Sequence, residues 1–223
     1  MVDDRIAQLL GAPEDPAHLA ARTSETRVRS GTVTANDAGI LEVATVDGPP
    51  VHIPVSELPP SVTPTPGMRV TFAQDPDGKA SAAGPDLVAA LYEAVVPEIR
   101  DGAVRIMRIA RVAGSRTKVA VAATQAGVDP VNTCVGPGVN RLRAVADHLG
   151  GDRIDVVAWH PDRDTFLTNA MAPAAARDVQ ENDGELFVRV PSHQMSAAVG
   201  EGGLNSFLAG ELVGAKVTVV RET

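Results

Sequence analysis

The stretch Val199-Gly-Glu-Gly-Gly-Leu-Asn205 places a glycine-rich loop, residues 200–203, between two apolar segments. These segments, residues 195–199 and 204–213, together with the loop predict a helix, a glycine turn and a second helix. Backbone N–H groups exposed at such a turn bind phosphate, but Glu201 at the tip carries a charge that repels it. Two interpretations are open: a nucleic-acid clamp, or a turn that needs glycine only for its backbone geometry.

A second glycine-rich loop, Gly136-Pro-Gly-Val139, lies within a similar succession of elements, which indicates an internal repeat of roughly 60 to 65 residues. Helical spacing of Leu87, Leu91 and Val95 predicts the first helix, which Asp86 can cap. The other predicted elements of the first copy are residues 103–109, 117–123, 130–134, 140–149 and 154–158. Those of the second copy are residues 164–171, 176–180, 186–190, 192–199, 204–214 and 216–221. Each copy is an α+β module with the order helix, strand, strand, helix, helix, strand.

The segment before the two modules is predicted to form a small β-barrel. Residues 27–74 contain short β-branched runs separated by turn-forming Asn, Asp, Gly and Pro residues. Four or five short strands in so few residues predict a barrel of the OB type, followed by a small-residue link at 80–84. The predicted domains, in order, are a partly helical arm, the barrel and the two modules, at residues 1–26, 27–83, 84–160 and 161–223.

Composition limits the kinds of function and partner. The net charge of −8 argues against indiscriminate nucleic-acid binding, because non-specific affinity comes from neutralised phosphates. Cys134 is the single cysteine, so an internal disulfide and a cysteine-cluster metal site are excluded. No secretory signal or long apolar span is found, so we expect a cytoplasmic protein without a membrane partner.

A helix–Gly-x-x-Gly–helix unit on a three-stranded sheet is the bacterial, type II arrangement of the KH domain, whose loop clamps single-stranded nucleic acid. Several longer stretches resemble the NusA family of transcription elongation and termination factors. They are VPEIRDGAVRIMRIARVAGSRTKVAVAAT (96–124), DPVNTCVGPGVNRLRAVADHLGG (129–151), RIDVVAWHPDRDTFLTNAMAPA (153–174) and VPSHQMSAAVGEGGLNSFLAGELVGAKVTV (190–219). The preceding stretch, AGPDLVAALYEAVVPEI (83–99), looks like the linker helix of that family. The segment VHIPVSEL (51–58) lies where that family has its barrel of the ribosomal-protein S-one type.

The resemblance covers approximately residues 27–220 and is strongest across the first module. It implies an α+β fold in which a small OB-type barrel is followed by two tandem type II KH domains. It also implies binding of single-stranded nascent RNA during elongation, termination or antitermination, with RNA polymerase or other transcription factors as candidate partners. No cofactor or metal is implied.

Three departures from the family pattern bear on this expectation. The stretch before Arg27 is too short for the helical domain with which NusA proteins hold RNA polymerase. The first loop has Val139 where the family has glycine, and Pro137 has no N–H to donate. The second loop has Glu201 where a basic residue is usual, and Phe207 stands where an arginine is common.

The candidate RNA-binding residues are the two loops and the polar residues beside them. In the first module they are Gly136, Pro137, Gly138, Val139, Arg141, Arg143, Arg116 and Lys118, and in the second Gly200, Glu201, Gly202, Gly203 and Asn205. Strand alternation places Arg116 and Lys118 on one face, which predicts a basic patch or an ordinary solvated surface. Arg141 and Arg143 are open to the same two interpretations, a phosphate contact or a solvated helix face.

The remaining conspicuous residues favour structural roles. Cys134 is predicted to be a small core residue, and Trp159 is predicted to cap the packing between the modules. His52 on the barrel can stack on a base, but the barrel lacks an aromatic platform around it. No dinucleotide-binding, Walker, G-x-S-x-G or His-Glu-x-x-His motif is present, so an enzymatic function is not indicated.

Two functions from different classes remain open on the sequence alone. The first is a NusA-like RNA-binding protein that acts on nascent transcripts. The second is a divergent relative whose acidic KH units serve as a protein-interaction scaffold, or as a competitor of full-length NusA. Substituting a basic residue for Glu201 and glycine for Val139 discriminates between them, because only a weakened RNA clamp gains RNA affinity from those changes.

Overall fold

The computed structural model describes residues 26–222, so the predicted N-terminal arm lies outside the described residues up to Glu25. The first domain is a five-stranded antiparallel sheet whose strand order is β3-β2-β1-β4-β5. Its strands are β1 (Arg27–Asp37), β2 (Ile40–Thr45), β3 (Val51–Pro54), β4 (Arg69–Gln74) and β5 (Ala80–Ser81). The edge strands β3 and β5 lie close to each other, so the sheet forms a nearly closed barrel.

The barrel core follows from the alternation of each strand. Inward positions of β1, β2, β3 and β4 are buried, whereas their neighbours are exposed or half-buried, except Ala73, which packs in the core of the first KH unit. Phe72 is the largest of these core side chains and packs among Val33, Leu41 and Ile53. The predicted barrel is confirmed, and the predicted small-residue link contributes its fifth strand.

The first KH unit has one three-stranded sheet, ordered β6-β7-β8, and four helices. Its elements are α1 (Pro85–Val95), α2 (Pro97–Arg100), β6 (Val104–Val112), β7 (Arg116–Ala123), α3 (Pro130–Val135), α4 (Asn140–His148) and β8 (Arg153–Ala158). β7 is antiparallel to β6 and parallel to β8. The resemblance implies one linker helix over residues 83–99, but the structure has a second, short helix, α2, which begins at Pro97, a residue that suits the first position of a helix.

The second KH unit repeats this plan, with the sheet order β11-β10-β9. Its elements are α5 (Arg163–Ala170), β9 (Asp178–Asn182), β10 (Glu185–Val190), α6 (Met195–Val199), α7 (Leu204–Val213) and β11 (Val217–Arg221). β10 is antiparallel to β9 and parallel to β11, so both units have the same strand pairing. Residues 192–194, predicted as α-helix, form a 3₁₀ turn before α6.

The sheet of the first KH unit is covered on both faces. One face packs against α1, α3 and α4 through residues such as Val104, Val119 and Val121. The opposite face presents Ala110 and Ala120, which lie in one apolar cluster with residues of α5 and α7. Small side chains at these positions let helices of the second unit lie close to the sheet. The two units therefore share a continuous core.

Arg111 connects the barrel to the first KH unit. Its guanidinium donates from Nε to Asp152 Oδ2 at 2.7 Å and from Nη1 to the carbonyls of Ala82 and Ala83 at 3.1 Å. Asp152 also accepts from the Gly114 N–H and from Thr117 Oγ1, each at 2.8 Å. The ion pair is almost fully buried, with side-chain exposures of 4% and 0%. Removing one partner of such a pair would leave an uncompensated buried charge where the barrel meets the first KH unit.

The predicted cap of α1 is wrong. The N-cap residue is Gly84, and no side chain caps the helix. Pro85 has a backbone angle that suits the first helical position, so the helix begins two residues earlier than predicted. Asp86 instead lies in the first turn, where its charge is favourable to the helix dipole.

No helix within residues 26–222 is both long and apolar enough to cross a membrane.

Candidate nucleic-acid interface

The two glycine loops have nearly the same backbone conformation. The first residues, Gly136 and Gly200, have φ, ψ values of 75°, 165° and 77°, 171°. The third residues, Gly138 and Gly202, both have a φ of 59°. Each loop closes with a hydrogen bond from the N–H of its fourth residue to the carbonyl of its first. The internal repeat of the sequence is therefore also a repeat of loop geometry.

The first glycine of each loop is required for two reasons. Its φ and ψ lie in a region that is essentially restricted to glycine. The following helix also approaches closely: a Cβ atom on Gly200 would lie 2.7 Å from both N and Cβ of Asn205, and one on Gly136 would lie 2.6 Å from Arg141 Cγ. This glycine thus sets how the two helices meet.

The third glycine of each loop faces open space. A Cβ atom on Gly138 or Gly202 would meet nothing within 4 Å, and both residues are exposed. Each loop leads directly into a helix of 9 or 10 residues, α4 or α7. The exposed backbone at the start of a helix attracts anions. The tips are therefore placed where the phosphate groups of an extended strand can approach.

Val139 ends the first loop in the left-handed conformation, with a φ of 65°. Its counterpart, Gly203, has a φ of 82°. A β-branched residue is strained there, by roughly 1–2 kcal/mol. Glycine would meet the backbone requirement at this position without that strain.

We expect Val139→Gly to stabilise the protein by about 0.5–1 kcal/mol. The backbone strain is relieved, and the larger conformational entropy of glycine in the unfolded chain offsets part of the gain. Little burial is lost, because Val139 is 39% exposed. Urea unfolding monitored by circular dichroism measures the change, with Gly203→Val as the reciprocal variant that should destabilise. A less stable Val139→Gly protein would contradict this account.

Arg141 and Asn205, two residues after each loop, hold the loops in place. Arg141 donates to both carboxylate oxygens of Glu98, at 2.9 and 3.2 Å, and to the Thr133 carbonyl at 2.8 Å. Asn205 donates to the carbonyls of Met171 and Ala198, at 3.1 and 3.0 Å. Asn205 is a candidate RNA-binding residue, but its side chain is fully buried and supports the loop from within.

Glu98 is well suited to hold Arg141. Its pKa is lowered, chiefly by its own backbone N–H, with a further contribution from the Arg141 guanidinium. Arg141 and Asn205 make equivalent contacts in the two KH units. Each donates a hydrogen bond to a carbonyl of the helix before its loop, and each also binds a group on the segment that precedes the sheet of its unit. These side chains therefore position the loop.

Arg116 and Lys118 lie on one face of β7, as predicted, but that face is buried. Lys118 is fully buried and donates to Asp155 Oδ2 at 3.1 Å and to the Ala172 carbonyl at 2.9 Å. Arg116, 7% exposed, donates from Nε to the same carboxylate oxygen at 2.6 Å. Burial lowers the pKa of Lys118 to about 8, although Asp155 acts in the opposite direction.

The predicted basic patch is wrong for Arg116 and Lys118, because the second KH unit covers this face. Lys118 donates to the carbonyl of Ala172, just after α5 of the second unit, and thereby ties the two units together. The sequence offered no local signal for Asp155, since the parallel pairing of β7 and β8 places Lys118 opposite a residue much later in the chain.

Several predicted residues remain accessible to a ligand. Pro137, Gly138, Val139, Arg143, Glu201 and Gly202 are exposed. Gly136, Gly200 and Gly203 are half-buried within the loops. The exposed part of the predicted site thus consists mainly of the two loop tips and one arginine of α4.

Cys134, Trp159 and His52 lie away from the loop tips. Cys134 is fully buried in the core of the first KH unit. Trp159 packs on the shared core, with its ring centroid 6.5 Å from that of Phe166, as predicted for a residue between the units. His52 is exposed on β3. Within the described residues, no cluster of three or more His, Cys, Asp or Glu side chains can hold a metal ion.

Burial of Cys134 should lower the free energy of unfolding as the pH rises above 9. Burial raises the pKa of its thiol from 9.0 to about 12, so the folded state retains a proton that the unfolded chain loses above pH 9. The contribution of the buried, protonated thiol to the free energy of unfolding is therefore complete below pH 9 and is lost as the pH rises towards 12. The stability difference between wild type and Cys134→Ala should therefore be constant from pH 7 to 8.5. It should fall by on the order of 2 kcal/mol by pH 10.5 in urea titrations; a constant difference would contradict this prediction.

Comparison with protein families supports the repeat seen in the structure. The model of the NusA-like first KH domain matches residues 82–159, and that of the NusA-like second KH domain matches residues 163–223. Together the two matches span more than half of the chain.

The chain carries the tandem KH domains of the NusA-like type.

Curated relatives named transcription termination/antitermination protein NusA are similar over most of this chain. The Bacillus subtilis protein is 37% identical over 181 residues, which is 77% of this chain and 49% of the relative. The Mycobacterium tuberculosis protein is 34% identical over 86% of this chain and 55% of the relative. The Thermus thermophilus protein is also 34% identical, over 86% of this chain and 52% of the relative. The chain therefore spans about half the length of these relatives.

Proposed function

We propose that this NusA-like chain clamps single-stranded RNA at its two glycine loops and modulates transcription elongation, termination or antitermination. The observation that carries the proposal is the repeated loop geometry, with the open tips of Gly138 and Gly202 at the starts of two helices. The names of the relatives support the transcriptional role. RNA polymerase and other transcription factors are the candidate protein partners.

The two loops differ in the groups they present to a phosphate. The first loop has lost one donor at Pro137 but has the exposed cation Arg143 on the adjoining helix. The second loop retains every N–H but carries the anion Glu201. Each missing phosphate contact lowers the salt dependence of single-strand binding by roughly 0.7 log units per log unit of salt. We therefore expect a weaker and less salt-dependent clamp than two intact loops would form.

Fluorescence anisotropy tests this function. The full chain is titrated with short single-stranded RNAs, including a ribosomal-leader antitermination sequence, at several salt concentrations. Saturable binding that weakens with salt is expected, and Gly202→Asp should reduce the affinity about tenfold, because it adds a second anion at the loop tip.

Gly184→Asp is the matched control. Gly184 also has a positive φ, 79°, and also faces open space, but it lies in the hairpin between β9 and β10. The Gly184→Asp variant should bind RNA with the same affinity as the wild type. Absence of binding even at low salt, or equal losses in both variants, would overturn the RNA clamp. RNA polymerase and full-length NusA would then be the first protein partners to test.

A further inference from the structure

A cleft lies between the sheet of the first KH unit and the second glycine loop. Its volume is ≈ 520 Å³, which is within the range of small-molecule sites, roughly 300–1,000 Å³. Ser115, Arg116 and Arg153 line it on the side of the first unit. His193, Ser196 and Glu201 line it on the side of the second. The cleft is thus built from both KH units.

The wall formed by the first unit is positively charged. Arg116 lines the cleft and shares a single carboxylate, Asp155, with Lys118, which is fully buried behind the wall, so the three groups together retain an excess positive charge. Arg153 adds a third cation, which is exposed and forms no ion pair within residues 26–222. Arg116 is held rigidly by its ion pair, whereas Arg153 is free to contact a ligand. This wall is suited to a phosphate group.

The opposite wall carries the acidic side chain Glu201. Glu201 is exposed, and its carboxylate accepts no hydrogen bond from the described part of the chain. An ionised carboxylate only accepts hydrogen bonds. A ligand that is anionic at one end and presents N–H donors at the other therefore complements both walls of the cleft. A nucleotide whose base lies towards Glu201 has this polarity.

Among the four RNA bases, guanine matches a carboxylate best. Its Watson–Crick edge presents two adjacent donors, N1–H and N2–H, which can bind both carboxylate oxygens. Cytosine and adenine each present one amino donor beside a ring-nitrogen acceptor, and uracil presents one N–H between two carbonyls. These neighbouring acceptors repel a second carboxylate oxygen. Single-stranded RNA leaves such edges free to be read.

We propose that the cleft is a guanine subsite for the bound RNA strand, in which Glu201 reads the base and Arg153 contacts a phosphate. The proposal rests on the RNA clamp proposed above and assigns a base preference to it. It also accounts for an acidic residue at the loop tip: Glu201 serves base selection, while the neighbouring Gly202 leaves the phosphate approach open. A basic peptide that binds Glu201 is the competing occupant.

The test is anisotropy with a set of short RNAs in which one guanosine at a time is replaced by inosine or adenosine. Inosine lacks only the N2 amine. At one position, the wild type should prefer guanosine over adenosine by roughly 10- to 100-fold, and over inosine by about tenfold. Glu201→Gln should lose most of this preference. Glu42→Gln, on the barrel, is the charge-matched control and should retain it.

Arg153→Gln separates the two ends of the cleft. It should weaken binding of every RNA by a similar factor and leave the base preference unchanged, because a phosphate contact carries no sequence information. If no RNA binds at all, the proposed clamp itself fails. If RNA binds with equal affinity for guanosine, inosine and adenosine at every position, the clamp stands and the guanine subsite is wrong. Uniformly tighter binding by Glu201→Gln would also overturn the subsite, because Glu201 would then only repel phosphate.

Discussion

Replacement of Asp152 by alanine is expected to lower the free energy of unfolding by about 3–5 kcal/mol. Asp152 is fully buried and accepts hydrogen bonds from Arg111, Gly114 and Thr117. Without it, the Arg111 guanidinium remains buried beside the barrel with no compensating charge. The loss therefore exceeds that of the hydrogen bonds alone. Urea unfolding monitored by circular dichroism measures the effect.

Asp178→Ala is the matched control, since it also removes an aspartate that pairs with an arginine. Asp178 lies 3.8 Å from Arg189, and both side chains are more than 40% exposed. Water solvates both charges after the change, so the expected loss is below about 1 kcal/mol. Similar losses of unfolding free energy in the two variants would show that burial does not determine how much the Arg111–Asp152 pair contributes to stability.

Gly200→Ala should destabilise the protein by about 3–5 kcal/mol, the sum of backbone strain and steric overlap. Its φ and ψ of 77° and 171° disfavour any residue with a side chain. The added methyl group would also lie 2.7 Å from the backbone nitrogen of Asn205, which cannot move without shifting α7. Because α7 packs on the sheet of the first KH unit, the substitution should destabilise both units.

Gly202→Ala is the control for this prediction, two residues away in the same loop. Its φ of 59° costs an alanine roughly 1–2 kcal/mol, but the methyl group would point into open space. The melting temperature of Gly202→Ala should therefore fall much less than that of Gly200→Ala. Equal decreases would mean that contact with Asn205 does not constrain the loop.

Local patterns were sufficient to predict most elements of the fold. Leu87 and Leu91 are four residues apart, which places them on one face of a helix. The helix α1 forms there, and both side chains are buried. The glycine patterns at 136–139 and 200–203 located both loops, because positive φ values require glycine wherever the chain turns this sharply. Element ends were less well predicted: β6 continues to Val112, three residues beyond its predicted end.

The roles of the polar side chains could not be predicted in the same way. Alternation placed Arg116 and Lys118 on one face, but it contains no information about what covers that face. Arg141 also has the pattern of a surface residue beside a phosphate site, yet it is bound by Glu98 of α2, 43 residues earlier in the chain. The missing information lay in packing between distant segments.

The sequence by itself determined the order of the elements, the repeat and the positions of both glycine loops, because each depends on residues close together in the chain. Only the tertiary structure decided which charged groups are buried. Lys118 meets Asp155, 37 residues later, through parallel strand pairing, and Arg111 meets Asp152, 41 residues later. Burial of a charge depends on a partner brought near by the fold, and the sequence around either residue does not specify that partner.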